Sequence, residues 1–426
     1  MKILILSNTA WNNNNSFGNT FSNLFDDMPD IEIANIYCRA DHPNNNIVKK
    51  YYQITEKSLI ANLKNTKTPS GKEIFVDSND IGSLNVSEQN VFNYMRKNRL
   101  QIFFRLRDLI WKIGRWKSAD LEKFIIDFNP DIIYLPIYYS NYLCEIGRYL
   151  KEKLQIPMIG HITDDIYTLK QIRFSPLYWL NHFKIRRKVK WLVKHCEFVD
   201  TFSDIQKNEY EKIFNIPFNI RYKYADIIDN LPKAEFHFPI KFVFTGNISS
   251  GRWKTLSKLG NVISSYNKKE KKFELDIYTA TPLNKKMKKS LNIPGAINFM
   301  GEIPYEKVKM VQSSADILVH AENFALKEAL SVRMSFSTKI IDYLSKGKCI
   351  FAIGPGNITS IDYLIKNDAA IVASTFEDIE TKIKDIYNDF SIINKYGEKS
   401  WECAKRNHPK EELKKNFYND LGKLIK

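Results

Sequence analysis

The sequence predicts an α/β protein built from two Rossmann-like, doubly wound domains that face each other across a cleft. Short apolar runs alternate with helical patterns along most of the 426 residues, which is typical of parallel sheets covered by helices on both faces. The pattern pauses near 230–239, where prolines fall in a stretch of mixed polarity, and then starts again. We therefore expect a first domain over 1–232, a second domain over 233–408, and an amphipathic helix over 409–426.

The first domain opens with a buried strand at residues 3–6, followed by a glycine-containing polar loop and a helical pattern that includes Phe21 and Leu24. Strand, polar loop and helix in this order begin a doubly wound domain. The stretch from 55 to 90 has weak periodicity and is predicted to be loop with short helices. Further strands of this domain are predicted at 31–37, 131–135, 156–162 and 198–203.

The second domain repeats the succession of strand, glycine turn and helix from residue 241 onward. Ligands bind at the carboxyl ends of the strands in such sheets, so two facing edges predict a binding cleft. The strands of this domain are predicted at 241–245, 273–278, 296–300, 316–319, 349–353 and 369–372.

The chain carries 64 Lys and Arg against 48 Asp and Glu, a net charge of +16, which favours polyanionic partners. Residues 96–117 hold eight basic residues and one acidic residue, and residues 173–194 hold seven basic residues and no acidic one. No nucleic-acid-binding motif accompanies them, so we expect no nucleic-acid partner. Apolar and aromatic residues within both segments suit an anionic membrane surface. The alternative is that the apolar stripes face the core and the charges are solvated.

Five cysteines lie far apart without a Cys-x-x-Cys pair, which argues against a disulfide framework and a structural zinc site. The N-terminal apolar run is too short for the core of a signal peptide, and no run reaches the roughly 18 apolar residues of a membrane span. We therefore expect a cytoplasmic protein, peripheral on the inner face of the cell membrane if the basic segments bind lipid.

A first candidate site follows the predicted strand at 241–245. Gly246 lets a ligand approach the backbone, and the helix that follows offers its N-terminal N–H groups. Arg252 and Lys254 add charge-assisted bonds, so this loop, which includes Asn247, suits a diphosphate. The alternative is that these basic residues are merely solvated.

A second candidate site lies at the start of the helical pattern that follows Lys339. Ser335, Ser337 and Thr338 precede this helix, and hydroxyl groups with a lysine at a helix start are phosphate-binding chemistry. Asp342 falls on the first turn, close enough to accept hydrogen bonds from ribose hydroxyls. The alternative is an ordinary N-cap.

Together these motifs resemble retaining glycosyltransferases with the GT-B fold, of the family-four type that builds capsular and other surface polysaccharides. The resemblance covers nearly the whole chain and includes the string His161-Ile162-Thr163-Asp164-Asp165. It implies that His161 contacts the donor sugar or the acceptor and that Asp164 and Asp165 lie on the acceptor side, although an N-cap pair is the alternative for these aspartates. It also implies that the terminal helix 409–426 packs back on the first domain.

The resemblance assigns further neighbours of the two substrates. In the opening loop it implies that Gly18 binds the donor and that Asn19 lies on the acceptor side. It also implies that Glu302 and Ile303 lie beside the base of the nucleotide. The sequence departs from the family at two glutamates that usually stand eight positions apart, because their places are taken by Met334 and Asp342. Glu322 or Glu328 would supply the missing carboxylate, and His320 and Arg333 would also line the donor pocket. The alternative is that these four residues have surface or cap roles.

The implied activity transfers a sugar from a nucleotide-sugar donor to a saccharide or polyprenyl-diphosphate-linked acceptor, with retention of anomeric configuration. Arg252, Lys254 and Lys339 would stabilise the leaving diphosphate together with N–H groups near Ser337 and Thr338. The resemblance implies front-face attack and no requirement for a metal or another cofactor. The alternatives are a nucleotide-sugar epimerase of the same shape and a basic scaffold or nucleic-acid-binding protein.

Overall fold

A computed structural model describes residues 1–13, 15–28, 30–75, 101–231 and 238–425, without the side chains of 101–104 and 305. Parts of four predictions lie outside these residues, namely 76–90 of the predicted loop, 96–100 of the first basic segment, 232–237 of the domain boundary and 426 of the terminal helix. The described residues form two predominantly parallel sheets, each covered by helices.

The first sheet contains eight strands in the described part of the chain. They are β1 (Lys2–Ser7), β2 (Glu32–Tyr37), β3 (Lys50–Ile54), β4 (Gly71–Ile74), β5 (Ile132–Pro136), β6 (Met158–His161), β7 (Phe198–Thr201) and β8 (Phe218–Ile220). Their order is β4-β3-β2-β1-β5-β6-β7-β8, and the pair β3–β4 is antiparallel while the others are parallel. The helices are α1 (Ser16–Phe25), α2 (Glu56–Lys64), α3 (Gln101–Ile113), α4 (Ala119–Phe128), α5 (Asn141–Leu154), α6 (Pro176–Lys194) and α7 (Asp204–Phe214).

Three strands of this sheet escape the sequence pattern. β3 has four consecutive buried residues after Lys50, so it lacks the alternation that identifies a strand, and β4 at the sheet edge is mostly polar. β8 has only three residues, which is too short for any period to appear. The strand β4 also corrects the prediction that 55–90 is loop with short helices, whereas α2 within that stretch agrees with it.

The second sheet contains six parallel strands in the order β11-β10-β9-β12-β13-β14. They are β9 (Ile240–Thr245), β10 (Phe273–Tyr278), β11 (Ile297–Gly301), β12 (Ile317–Ala321), β13 (Cys349–Ile353) and β14 (Ile371–Ala373). The helices are α8 (Arg252–Tyr266), α9 (Lys285–Leu291), α10 (Tyr305–Ser313), α11 (Leu326–Val332), α12 (Lys339–Ser345), α13 (Thr359–Lys366), α14 (Phe376–Asn388), α15 (Ser391–Asn407) and α16 (Lys410–Gly422). This strand order is that of a doubly wound Rossmann sheet, as predicted.

Each sheet has a point at which the direction of strand order reverses, between β1 and β5 in the first sheet and between β9 and β12 in the second. The crevice outside the carboxyl ends of the strands at such a point is the usual ligand site of this architecture. In the second sheet it is bordered by the loop after β9 and the loop after β12.

The helix α16 packs against the first sheet. Phe417 and Leu421 are fully buried, and the Phe417 ring lies 5.3 Å from the ring of Phe25 in α1. Arg221 Nη2 donates to Asp420 Oδ2 of α16 at 2.8 Å. The end of the chain therefore contacts the half in which the chain begins.

Candidate functional site

The loop after β9 turns through two glycines whose positive φ angles favour glycine over other residues. Gly246 has φ +138° and Gly251 has φ +80°. A Cβ at Gly251 would stand 1.8 Å from the Asn323 side-chain nitrogen, so Asn323 in the loop after β12 packs directly against the Gly251 backbone. The two loops approach closely at the switch point of the second sheet, which is the place between β9 and β12 where the strand order reverses. This approach places Arg252, the first residue of α8, at the switch point.

Arg252 forms a two-pronged ion pair with Glu322 of the β12 loop. Its Nε and Nη2 donate to the two carboxylate oxygens at 3.0 and 2.8 Å. The Glu322 side chain is buried, whereas that of Arg252 is one-quarter exposed. A bidentate pair fixes the plane of the guanidinium. Nη1 donates to the Asn247 carbonyl at 3.5 Å, and the other N–H groups are left for another acceptor.

Lys339, the first residue of α12, reaches the same loop. A Cβ at Gly246 would stand 2.0 Å from its Nζ, so the lysine passes through the space that glycine leaves open. Burial, followed by the positive charge of Arg252, lowers the pKa of Lys339 to about 8. Burial and these two cations also lower the pKa of His320 to about 3, so its ring is neutral at pH 7. A bound anion would relieve the repulsion between the two cations.

Lys254, predicted to work beside Arg252, lies elsewhere. It is exposed, and its Nζ stands 5.7 Å from the centre of the Trp253 ring. Two residues apart in an α-helix are separated by about 200° around the axis, so Arg252 and Lys254 point to opposite sides of α8. No contact among the described residues supports its predicted role in donor binding, and we test that role with Lys254→Ala below.

Asp342, predicted to hold ribose, has a cationic partner from the chain between the two sheets. Lys223 Nζ donates to its Oδ1 at 2.6 Å, and 38% of the Asp342 side chain is exposed. Nearby, the Ser337 amide donates to Ser360 Oγ at 2.9 Å, and Thr338 makes no side-chain cap to α12. The predicted phosphate-binding string therefore directly precedes Lys339, and the amides of Ser335 and Ser337 within it are already bonded.

Arg333 and Ser335, both predicted to bind the donor, are bonded to the first half of the chain. The Arg333 guanidinium forms an ion pair with Glu209 of α7. Ser335 Oγ donates to Asp164 Oδ1 at 2.5 Å. In this conformation these two side chains hold the halves together, and neither is directed at Arg252 by any contact among the described residues.

The paired aspartates have different environments. Asp165 is buried, and it accepts hydrogen bonds from the Thr168 amide at 2.9 Å, the Tyr210 hydroxyl at 3.0 Å and the Thr168 hydroxyl. These bonds close the turn after β6, which is the capping role considered as the alternative. Asp164 is exposed and its only described side-chain partner is Ser335. An acceptor-side role therefore stays a prediction, with Asp164 the better placed of the two.

His161 ends β6 and is buried under the rings of Phe21 and Phe202. Its Nδ1 lies 3.1 Å from the Tyr134 hydroxyl, which itself donates to Asp200 at 2.8 Å. Because that hydroxyl hydrogen is used, Nδ1 carries the proton and Nε2 is a bare acceptor with no partner in the described part of the chain. Burial, followed by the charge of Arg221, lowers the pKa of His161 to about 3, so the ring is neutral.

The remaining predicted residues differ in their surroundings. Gly18 is buried, and a Cβ there would stand 2.1 Å from the Asn12 carbonyl oxygen, so its open space is filled by its own loop. Gly18 and Asn19 lie in α1 rather than in the predicted opening loop, and the Asn19 amide donates to the carbonyl of the N-cap residue Asn15 in the first helical turn. Asn247 and Glu302 are exposed, Ile303 and Glu328 are partly buried, and Met334 is fully buried. Contact of these residues with a donor or acceptor stays a prediction.

Several residues at this site carried no recognisable sequence signal. Lys223, Glu209 and Asn323 are ordinary polar residues in sequence, and each gains its position only through a partner far along the chain. Within the described residues, no helix has the length and apolar character needed to cross a bilayer, and no three His, Cys, Asp or Glu side chains form a group suited to a metal ion.

Comparison with known proteins reveals similarity in fold. No protein family and no curated protein matches the sequence. HepE from Anabaena, solved with UDP and glucose, is 12% identical and superposes over 100% of both chains with a TM-score of 0.61. Sucrose-phosphate synthase from Thermosynechococcus elongatus is 10% identical over 100% of this chain and 99% of that chain, with a TM-score of 0.61.

A third similar structure is the pneumococcal O-GlcNAc transferase GtfA, solved with UDP and GlcNAc. It is 11% identical, with 72% of this chain and 60% of that chain covered and a TM-score of 0.51. At these identities the likeness shows the fold alone. The predicted arrangement of two Rossmann-like domains, that of the GT-B fold, is confirmed.

Proposed function

We propose that the chain is a glycosyltransferase that moves a sugar from a nucleotide-sugar donor to an acceptor. The observation that carries the proposal is the pair of cations, Arg252 and Lys339, beside the Gly246 backbone at the switch point of the second sheet. A diphosphate bridging these groups would gain charge-assisted hydrogen bonds and relieve the repulsion that lowers the pKa of Lys339. HepE and GtfA were each solved with UDP, which supports a nucleoside diphosphate as the ligand class.

In the proposed reaction the bond between the anomeric carbon and the phosphate oxygen breaks, and negative charge develops on the leaving diphosphate. Arg252 and Lys339 stabilise that charge, and the Glu322 carboxylate keeps the guanidinium in place. The stabilisation is assigned to side chains of this chain rather than to a metal ion. We further propose retention of configuration through front-face attack, in which the leaving phosphate accepts the proton of the attacking hydroxyl.

The donor assignment is tested by thermal denaturation with UDP, GDP and CMP and their sugars. A cognate nucleotide raises the melting temperature because it binds only the folded state. Lys339→Ala and Arg252→Ala are expected to abolish the shift while remaining folded, and Lys254→Ala serves as a matched control on the same helix. No shift with any nucleotide, or a full shift in both variants, would contradict the proposal. Anomeric configuration of the product, determined by NMR, tests retention.

We also propose a lipid-linked acceptor, consistent with surface polysaccharide synthesis, at an anionic membrane surface. Asn141 Nδ2 of α5 donates to Asp108 of α3 at 2.7 Å and to Asn181 of α6 at 2.8 Å, so this residue bridges the two basic helices. Large apolar side chains on and beside these helices are exposed by 43–90% rather than packed in the core. They are Leu106, Leu109, Ile113, Phe174, Leu177, Leu180 and Phe183.

The membrane proposal is tested by flotation with liposomes. Basic residues around exposed apolar groups favour anionic vesicles, so binding to vesicles of anionic lipid and none to neutral vesicles is expected. The double variant Leu109→Glu, Phe183→Glu should lose binding, whereas Leu326→Glu, an equally apolar exposed position in the second half, should keep it. Equal binding to both kinds of vesicle, or no binding, would refute this part of the proposal.

A further inference from the structure

The contacts between the two halves of the chain fall into two groups. The first group lies where the chain leaves the first half. There the Ile228 amide donates to the Ser345 carbonyl at 3.3 Å, and Trp401 Nε1 donates to the Ile228 carbonyl at 2.8 Å. Contacts at such a connection are able to persist when two domains turn about it. The second group joins α7 and the turn after β6 to residues 333–335, so it requires the halves to be closed.

Arg333 supplies the charge of this second group. Its guanidinium forms a two-pronged ion pair with Glu209 of α7, and its Nη2 lies 3.8 Å from Asp165 Oδ2. Burial acts to raise the pKa of Glu209, but hydrogen bonds and charges from Arg333 and Lys170 outweigh it and lower the pKa. The Arg333 side chain is only 11% exposed, so solvent screens this pair less than a surface ion pair.

Met334 supplies an apolar contact. Its side chain is fully buried in a cluster whose other buried members all belong to the first half, among them Ile162, Tyr167 and Phe214. The resemblance to the glycosyltransferase family places a glutamate at this position, where it would touch the donor sugar. In this chain the position instead anchors one half of the molecule to the other.

Ser335 and Thr359 complete the group with hydrogen bonds. Ser335 Oγ donates to Asp164 Oδ1 at 2.5 Å. The Thr359 amide and hydroxyl donate to the Arg333 carbonyl at 2.9 and 2.7 Å. Since its hydrogen is used there, the Thr359 hydroxyl accepts from Ser203 Oγ of the first half at 2.8 Å. Three successive residues, 333–335, are therefore fastened to the first half by different kinds of contact.

The closed arrangement also carries a cost at Arg333. Its Nε is buried and has no hydrogen-bond partner in the described part of the chain. Removing an ion pair from water costs free energy that offsets much of the attraction between its charges. On opening, water would hydrate Nε and the carboxylates of the first half. The contacts of 333–335 therefore oppose one another in part, which makes them suited to release without unfolding of either half.

We infer that Arg333, Met334 and Ser335 form a latch, which holds the two halves closed in the free protein and must release before a ligand in the cleft is exchanged. The inference rests on the proposed function only in taking a nucleotide as that ligand. Lys339 of the proposed donor site stands four residues after Ser335, so release of the latch frees the segment that leads to it.

Two substitutions are designed to release the latch. Arg333→Gln removes the charge, and Met334→Glu places a carboxylate in the apolar cluster, beside the acidic groups that receive Arg333 and Ser335. Each has a matched control. Arg148→Gln breaks a surface ion pair within α5, and Met310→Glu makes the same change at a side chain of α10 that is 65% exposed. Arg333→Lys keeps the charge without the fork and should lie between the wild type and Arg333→Gln.

Opening is measured on the full chain without ligand, as the distance between spin labels at Lys190→Cys in α6 and Lys258→Cys in α8. Both positions are exposed, whereas the five native cysteines are buried. Both latch variants should raise the ratio of open to closed molecules at least about tenfold, the effect of losing one hydrogen bond to a charged group. The controls should match the wild type. Identical distance distributions in the wild type and both latch variants would overturn the latch.

Exchange is measured as the rate at which UDP dissociates after rapid dilution. Both latch variants should release UDP at least about tenfold faster than the wild type, and the controls should not. Unchanged release from variants that have opened would overturn the role of the latch in exchange. If the wild type binds no UDP, the proposed donor is wrong, and the distances measured without ligand still decide whether the latch holds the halves closed.

Discussion

Two loops of the second half, 246–254 and 333–342, were both predicted to bind the donor, but the structure uses them differently. The contacts of Arg252 in the first loop stay within the second half, where Glu322 holds it. Two side chains of the second loop reach across to the first half, Arg333 to Glu209 and Ser335 to Asp164, whereas Lys339 of the same loop reaches Gly246 within the second half. The contacts of Arg252 therefore form whether or not the halves close, whereas those of Arg333 and Ser335 depend on their closure.

The largest effect is expected from the loop that is organised within one half. Arg252→Ala should lower kcat/KM about 100-fold or more, because it removes a preorganised cation from the developing charge of the leaving group. Lys254→Ala should have little effect, since that side chain is exposed on the opposite side of α8. Steady-state kinetics of both variants would show this difference in kcat/KM. Equal losses of kcat/KM would mean that both substitutions act by disturbing α8, and not through loss of the guanidinium.

The paired aspartates that meet the second loop should differ in stability. Asp165→Ala is expected to cost about 2–4 kcal/mol of unfolding free energy, because buried donors from Thr168 and Tyr210 lose their acceptor. Asp164→Ala should cost within about 1 kcal/mol, since Asp164 is exposed and its described side-chain contact is with Ser335. Urea denaturation of the two variants decides this, and similar losses would argue against a purely structural Asp165.

Nucleotide affinity should depend on the protonation of Lys339. Its pKa is lowered to about 8, so the free protein loses this charge as pH rises through 8, whereas an exposed lysine would keep it. Affinity for UDP should therefore fall by up to about tenfold per pH unit above 8. Lys339→Arg retains the charge throughout this range and should remove the dependence; a slope that persists in this variant would point to another group.

The smallest effect is expected from removing the ion pair between Lys223 and Asp342. Lys223→Ala frees the carboxylate from its 2.6 Å ion pair, so ribose hydroxyls no longer compete with an internal cation. We expect a nucleotide affinity a few-fold higher than in the wild type. Direct titration with UDP measures it. A reduced affinity would instead make Lys223 a ligand of the nucleotide and change the role of the second loop.

Sequence reasoning predicted the core strands, because a buried strand followed by glycine and a helix is a local pattern, whereas the donor crevice stays a prediction. It missed β3, β4 and β8, whose residues show no alternation, are mostly polar or are too few. It treated Arg252 and Lys254 as a pair, since proximity in sequence conceals their opposite directions on α8. It proposed Glu322 as a carboxylate of the donor pocket. It did not predict that Glu322 forms an ion pair with Arg252, which is 70 positions away in sequence.

The sequence by itself determined the architecture of this protein, since the burial of each strand depends on the residues of that strand and its immediate neighbours. Only the tertiary structure decided which charged groups face a ligand and which face one another. Lys223 and Asp342 are 119 positions apart, and no local sequence pattern predicts that they form an ion pair. The physical reason is that ion pairs form wherever the packed halves bring opposite charges within reach, so a polar residue takes its role from the fold around it.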